Sequence, residues 1–343
     1  MEICTLCSRK NGQARRKMTV VVITLNHDIH ADAVIDCFSN REDIYRIDPT
    51  DKPPPLSFNS EDRVIEIDGS KISPEEVSGI YCRYAIECGC PPGAEDPVSR
   101  YRREEYLGSL CGLFLHVPQH RWINSPWSES VASGKVYPLT AAARLGIKVP
   151  RFIVTNNLVS LDQFLGKAKN GGYVIKPITD AAIAYQNGAF TDMPDFAAFD
   201  APYTKTFIRS EVDDDSVDET PFLIQQKIEK VSEIRCVVID DVVLATESDF
   251  HPGAEVDIRL QPNRQERLVN LPSQLNQKII SLNKFLHLRF CTLDFSVDQA
   301  GELWLTDVNP AGNWLWQEQQ SGLGIAQGIA SALCQKKHVS SFD

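Results

Sequence analysis

Residues 19–25, Thr-Val-Val-Val-Ile-Thr-Leu, form an unbroken β-branched and apolar run, the pattern of a strand buried on both faces in a parallel sheet. Ile29, Ala33 and Cys37 then recur at helical spacing over 28–38, and 44–47 is a short second strand. Three prolines at 53–55 mark a loop, residues 63–67 alternate apolar with charged, and 79–84 (Gly-Ile-Tyr-Cys-Arg-Tyr) make a further strand. Strands and helices alternating in this way predict a small α/β domain. Residues 99–115 predict a helix with Tyr106, Leu110, Leu113 and Phe114 on one side and Arg102, Arg103, Glu104 and Glu105 on the other. Trp122-Ile123-Asn124-Ser125-Pro126 closes the unit.

A helix over 134–145 follows, stopped by Gly146, then strands at 151–155, 173–176 and 222–228. Hairpins are expected at 234–239 with 242–245, turned at Asp240-Asp241, and at 290–297 with 303–308, turned at 299–301. Helices are expected at 274–286 and 322–333, the last one starting in the glycines Gly322, Gly324 and Gly328. The reading is an α/β (α+β) protein with a disordered tail at 1–17 and three units at 18–125, 126–225 and 226–335.

Composition narrows the partners. With 46 acidic against 35 basic residues, the net charge of -11 argues against a broad grip on nucleic acid, which needs a basic face. No apolar run reaches the ~18–20 residues of a membrane span. The ten cysteines are sparse and irregular, and residues 1–17 are polar and basic without the apolar core of a signal peptide; free thiols in the cytoplasm are expected. Cys4-x-x-Cys7 is half a zinc site with nothing to complete it. The acid run at 211–220 reads as a solvated loop.

The candidate chemistry lies in the second hairpin. Asp294 stands between apolar neighbours on one strand; Asp307 and Asn309, two apart on the next, share a face. Two carboxylates and an amide oxygen are hard ligands suited to Mg²⁺, although Asp294 at a turn and Asn309-Pro310 as a plain turn are the ordinary alternatives. Lys176 ends an apolar strand just before Pro177, where an ammonium needs an anion to offset its desolvation. Lys135 follows Ser133-Gly134 at a helix start. Two lysines and three oxygen ligands suit a nucleotide polyphosphate with magnesium. Ser133-Gly134-Lys135-Val136 lacks the first glycine and the Ser/Thr of a P-loop, and the glycines after 322 do not have dinucleotide-fingerprint spacing.

The order of these segments resembles the ATP-grasp ligase superfamily over roughly 18–333. The similarity is greatest to the microviridin-type (graspetide) ribosomal peptide maturases, then to ligases that add glutamate to a ribosomal protein. It is carried by Tyr81-Cys-Arg-Tyr84, Trp122-Ile-Asn-Ser-Pro126, Gly134-Lys135 through Pro150, Val174-Ile-Lys-Pro177, Leu223-Ile-Gln-Gln-Lys-Ile228, Glu233-Ile-Arg235, Asp257-Ile-Arg259, Leu293-Asp-Phe295 and Asp307-Val-Asn309-Pro310. The resemblance implies a pre-ATP-grasp domain followed by two subdomains that clamp ATP. Lys135 and Lys176 would contact phosphates. The hinge Gln226, Lys227 and Ile228 would read the adenine edge, and Glu229 or Glu233 the ribose. Asp294, Asp307 and Asn309 would hold Mg²⁺, two ions in all, and Arg235 and Arg259 would face the reacting phosphate and carboxylate. The chain departs from the family at Gln226, where an acid is usual, at Asp307, where Glu is commoner, and after Lys176, where the Gly-rich phosphate loop is missing.

The implied activity is ATP-dependent ligation through an acyl phosphate, joining acidic side chains to Ser/Thr or Lys in a precursor peptide that carries a leader, by a homodimeric cytoplasmic enzyme. The rivals are an ATP-grasp ligase that joins a small amino acid or glutamate to a small molecule or protein, and a non-catalytic ATP-binding regulatory module.

Overall fold

The computed structural model describes residues 19–38, 44–49, 54–83, 96–166, 172–176, 178, 204–209, 221–250 and 265–334. The expected tail at 1–17, the acid run at 211–220, Tyr84, Pro177, Asp257 and Arg259 lie outside the described residues.

The first apolar run is buried because it is the inner strand of a parallel sheet. β1 (Thr19–Ile23) pairs with β2 (Ile44–Ile47) on one side. After the helix α1 (Ile29–Asp36) and a small antiparallel sheet of β3 (Leu56–Phe58), β4 (Ile65–Ile67) and β5 (Ser70–Ile72), β6 (Val77–Cys82) pairs on the other side of β1. Helix α2 (Pro97–Phe114) leads to β7 (Trp122–Ile123), giving the order β2-β1-β6-β7. Asp28 and Asp96 cap α1 and α2 through their carboxylates, as helix starts with orphan amides require. One face of the sheet packs on Leu110 and Phe114 of α2 and on Ile65, Ile67 and Ile72 of the small sheet.

Next come two short helices, α3 (Pro126–Ser133) and α4 (Val136–Arg144), broken at Gly134. The first was not expected from the pattern, although Ser125 as cap and Pro126 in the first turn are start signals. The strands β8 (Phe152–Thr155), β9 (Tyr173–Lys176), β10 (Lys205–Phe207) and β11 (Phe222–Gln226), with α5 (Leu158–Leu165) after β8, form an antiparallel sheet in the order β10-β9-β11-β8. Tyr173, Ile175 and Ile224 pack on Leu161 of α5, which leaves Val174, Lys176, Leu223 and Gln225 on the opposite face.

The third sheet holds β12 (Lys230–Ile239), β13 (Val242–Asp249), β14 (Arg267–Leu268), β15 (Phe290–Asp298) and β16 (Leu303–Asn309), ordered β14-β13-β12-β15-β16. The Asp240-Asp241 turn works without Asn-Gly. Asp240 takes a left-handed φ of 51°, and its carboxylate is gripped by Arg289 at 2.7 and 2.8 Å. One face, with Ile234, Cys236, Leu293, Phe295 and Leu305, packs on α4 and α6 (Ser273–Phe285). The other face is apolar at one end, where Val237, Ile239 and Phe290 meet the C-terminal helix.

At that C-terminal helix the sequence expectation needs correcting. α7 (Leu315–Ser321) was not foreseen, and Gly322 ends it in a left-handed cap instead of starting the next helix, α8 (Ile325–Cys334). Gly322 and Gly324 have φ of 68° and 70°, a conformation that stops a helix. α8 lies between the N-terminal and C-terminal sheets. A Cβ on Gly79 of β6 would sit 2.6 Å from the Leu333 carbonyl, and one on Gly328 2.9 Å from Ile239.

Candidate functional site

The face of the third sheet that is apolar under α8 becomes polar toward its other end. Arg235 is paired across the strands with Thr246 on one side and Asp294 on the other, and Glu233 with Ser248 and Ser296. Thr292 and Asp294 alternate with core residues Leu293 and Phe295, so they share this polar face.

A β-bulge in β16 completes the group. Phe295 opposes Leu305, but Asp294 opposes Asp307, so Thr306 is the extra residue between them. Without it, Asp307 would follow Leu305 onto the core face. With it, Asp307 lies directly across from Asp294, and Asn309 across from Thr292. The bulge is held by Thr306 Oγ1, which donates to the Asp294 carbonyl at 3.0 Å.

Cations gather around the two carboxylates. Lys135 Nζ, from the residue that starts α4, donates to both oxygens of Asp307 at 2.8 and 3.0 Å. Arg235 Nη1 donates to both oxygens of Asp294 at 2.7 and 3.0 Å, and its Nη2 to Thr292 Oγ1 and the Asn313 carbonyl. The backbone of Arg235 is anchored in turn, its carbonyl accepting from Nε2 of the fully buried Gln317 on α7. Lys176 is buried, with Nζ on the carbonyl freed at the bulge, Thr306 O, at 2.8 Å. Burial lowers the Lys176 pKa; the charges of Lys135 and Lys230 push the same way, and those of Asp307 and Asp294 oppose them. Such an ammonium gains from an arriving anion.

The other expected residues divide. Glu233 lies on the polar face, mostly buried and ion-paired with Lys230, which also sits over the Phe250 ring. Glu229 is 63% exposed, 3.8 Å from Lys227 and apart from the cluster. In the hinge, the Gln226 amide donates to Arg151 O and the Lys227 amide to Gly172 O. Asn309 Oδ1 accepts from the Ala311 amide, so the turn expected as its alternative role is present. Two residues were missed. Lys230 was hidden because a register shift precedes Ser232. Gln225 shares the Lys176 face of the second sheet and is buried, with no hydrogen-bond partner for Nε2; it stands on β11 opposite Val174 of β9, so only the pairing of the two strands puts it on that face.

Gly312 keeps the loop after β16 on this floor. A Cβ there would lie 1.9 Å from Thr292 Oγ1 and 2.8 Å from Thr292 Cβ. Gly312→Ala is expected to displace that loop, costing about 1–3 kcal/mol of stability and loosening the Arg235 contacts to Thr292 and Asn313. A thermal melt that superimposes on the unmodified protein would refute the close packing.

Among the described residues, no three carboxylate, imidazole or thiol side chains gather to cage a metal, and no helix is long and apolar enough to cross a membrane. Two adjacent carboxylates with an amide nearby still fit an ion that keeps water or phosphate oxygens as its remaining ligands, as Mg²⁺ does.

No family model and no curated protein matches the sequence. Solved structures do. The macrocyclase MdnC from Microcystis aeruginosa MRC, bound with precursor peptide MdnA, is 20% identical with a TM-score of 0.73, covering 92% of this chain and 99% of its own. The ATP-grasp ligase PsnB, complexed with a minimal precursor, is 18% identical with a TM-score of 0.73, over 92% and 97%. A Chryseobacterium gregarium RiPP-associated ATP-grasp ligase, in complex with ADP and a leader and core peptide, is 22% identical with a TM-score of 0.74, over 92% and 96%. The chain has the ATP-grasp fold, of the mixed α/β class.

Proposed function

We propose that this protein is an ATP-dependent ligase that joins acidic side chains to Ser/Thr hydroxyls or Lys amines within a precursor peptide. The observation that carries the reading is the cross-strand pair Asp294–Asp307, ringed by Lys135, Lys176 and Arg235 at the end of the third sheet. Carboxylates for a hard cation and lysines for phosphate on one floor suit a polyphosphate better than any acyl-enzyme chemistry. Its similarity to ligases solved with precursor peptides and with ADP supports the substrate class.

Asp294 and Asp307, with Asn309, would hold magnesium, which neutralises phosphate charge when bound. Lys135 and Lys176 would bind the phosphates, and the buried Lys176 is desolvated in advance for that task. The Ile228 amide and the hinge carbonyls would read adenine, beside Gln225, and Glu233, on the polar face, would reach the ribose in preference to the exposed Glu229. In the reaction, a substrate carboxylate oxygen attacks the γ-phosphorus, the bond to ADP breaks, and an acyl phosphate forms. A hydroxyl or amine then attacks the acyl carbon, loses its proton and expels phosphate. The guanidinium of Arg235 stabilises charge on the acyl phosphate and the oxyanion.

The proposal includes a homodimer, which light scattering checks, and a reducing cytoplasm. Free thiols at Cys236 and Cys291, both buried, fit the second point.

The direct test is mass spectrometry. With Mg²⁺-ATP, a Thr/Ser- and Glu/Asp-rich peptide encoded beside this gene is expected to become lighter by one water per bond formed, with one ADP released each time. ADP release with no change in peptide mass would remove the peptide from the proposal, and no nucleotide binding at all would remove the ligase.

A further inference from the structure

Arg83 comes directly after β6, at the carboxyl edge of the N-terminal parallel sheet, where open α/β sheets form ligand crevices. Its side chain is only 10% exposed and is held from two directions. Nε donates to Asp28 Oδ2 at 2.8 Å, and the Arg83 amide donates to Ile23 O. Asp28 is itself fixed by the Thr24 hydroxyl and the first amides of α1. Arg83 Nη2 reaches across to the third unit and donates to Asn313 Oδ1 at 3.1 Å. The carbonyl of that same Asn313 accepts from Arg235 Nη2 at 2.9 Å. One residue therefore bridges two guanidinium groups that come from different sheets. Beside them, His30 Nδ1 is buried without a hydrogen-bond partner, and the His30 ring is edge-on to Trp314 at 5.1 Å.

The charges in this corner do not cancel once a reaction begins. Asp28 balances Arg83. The partner of Arg235 is Asp294, which the ligase reading commits to magnesium. The corner then holds one positive charge in excess, matching one carboxylate, next to the guanidinium assigned to the acyl phosphate.

We propose that Arg83, oriented by Asp28 and coupled to Arg235 through Asn313, binds the side-chain carboxylate that is to be phosphorylated. Arg83 would thus select an acid over its amide from the N-terminal wall, while Arg235 meets the same group from the floor. This rests on the ligase reading.

The test uses the full chain with N-acetylglutamate N-methylamide as a minimal acid, Mg²⁺-ATP, and hydroxylamine. The carboxylate takes the γ-phosphoryl group as ADP leaves; hydroxylamine nitrogen then attacks the acyl carbon, releasing phosphate and giving a countable hydroxamate. The glutamine analogue should give none. Arg83→Gln is expected to raise KM for the acid about 10–100-fold, the loss of a charge-assisted pair, with the Kd for Mg²⁺-ADP by calorimetry unchanged. Arg83→Lys should recover part of the loss, and Asn313→Ala should raise KM in the same direction. If Arg83→Gln lowers Tm and weakens ADP binding in step with KM, while Arg83→Lys restores nothing, Arg83 only braces the fold and the proposal fails. It also fails if wild-type protein binds ADP but makes no hydroxamate from the acid. Failure to bind ADP at all would instead strike the ligase reading itself.

Discussion

Asp307→Asn is expected to reduce ligation about a hundredfold or more while leaving the protein folded. The change keeps the shape of the side chain and removes its charge. Asp307 lies opposite Asp294 and accepts both short contacts from Lys135. It also provides the charge that favours the ammonium of Lys176 most. Losing it would weaken the proposed metal site and leave two lysines without their balancing carboxylate. The effect on stability should be small, since Asp307 is 26% exposed and water can solvate Lys135 in its place. ADP release with peptide, the Kd for Mg²⁺-ADP and a thermal melt check the three parts. Turnover near that of the wild type would sink the metal assignment.

Asn124→Leu is expected to be the most damaging single change to the fold, at about 3–5 kcal/mol. Asn124 is 2% exposed and follows the last strand of the N-terminal sheet. Its Nδ2 donates to the carbonyls of Phe290 and Pro310 at 2.8 and 2.9 Å, and its Oδ1 accepts from the amides of Arg289 and Phe290 at 2.9 and 3.0 Å. One carboxamide thus satisfies four backbone groups, at the start of β15 and just past the end of β16. Leucine has similar volume but would bury all four unpaired, each costing about 1 kcal/mol or more. Because both ends of the carboxylate hairpin are tied here, activity should fall together with stability. Equilibrium urea unfolding measures the effect; a loss below about 1 kcal/mol would mean that water replaces the amide.

Much of the architecture could be read directly. The strands at 44–47 and 173–176 needed only local apolar runs between turn residues, and the 290–297 with 303–308 hairpin only a turn and two such runs. The helices α3 and α7 were not legible. Each is short, and each depends on what flanks it: Ser125 and Pro126 at the start of one, left-handed Gly322 at the end of the other. Within the candidate site, Lys176 stood out because a lysine ending a buried strand needs a partner. Lys230 and Gln225 did not, since a lysine in the run Lys-Ile-Glu-Lys looks like an exposed residue, and only the register shift and the sheet pairing set their surroundings.

Asp307 separates the two kinds of knowledge most clearly. Residue types and local order determined that this chain is α/β, that it carries oxygen ligands on a late hairpin, and that lysines precede them. By simple alternation, however, Asp307 belongs on the same side as Leu303 and Leu305, in the core. The unpaired Thr306 reverses that, turning Asp307 toward Asp294 and its own carbonyl toward Lys176. A strand's facing follows a period of two, so one extra residue inverts everything after it. Whether that residue is absorbed as a bulge is decided by pairing with a second strand, and only the tertiary structure contains that pairing.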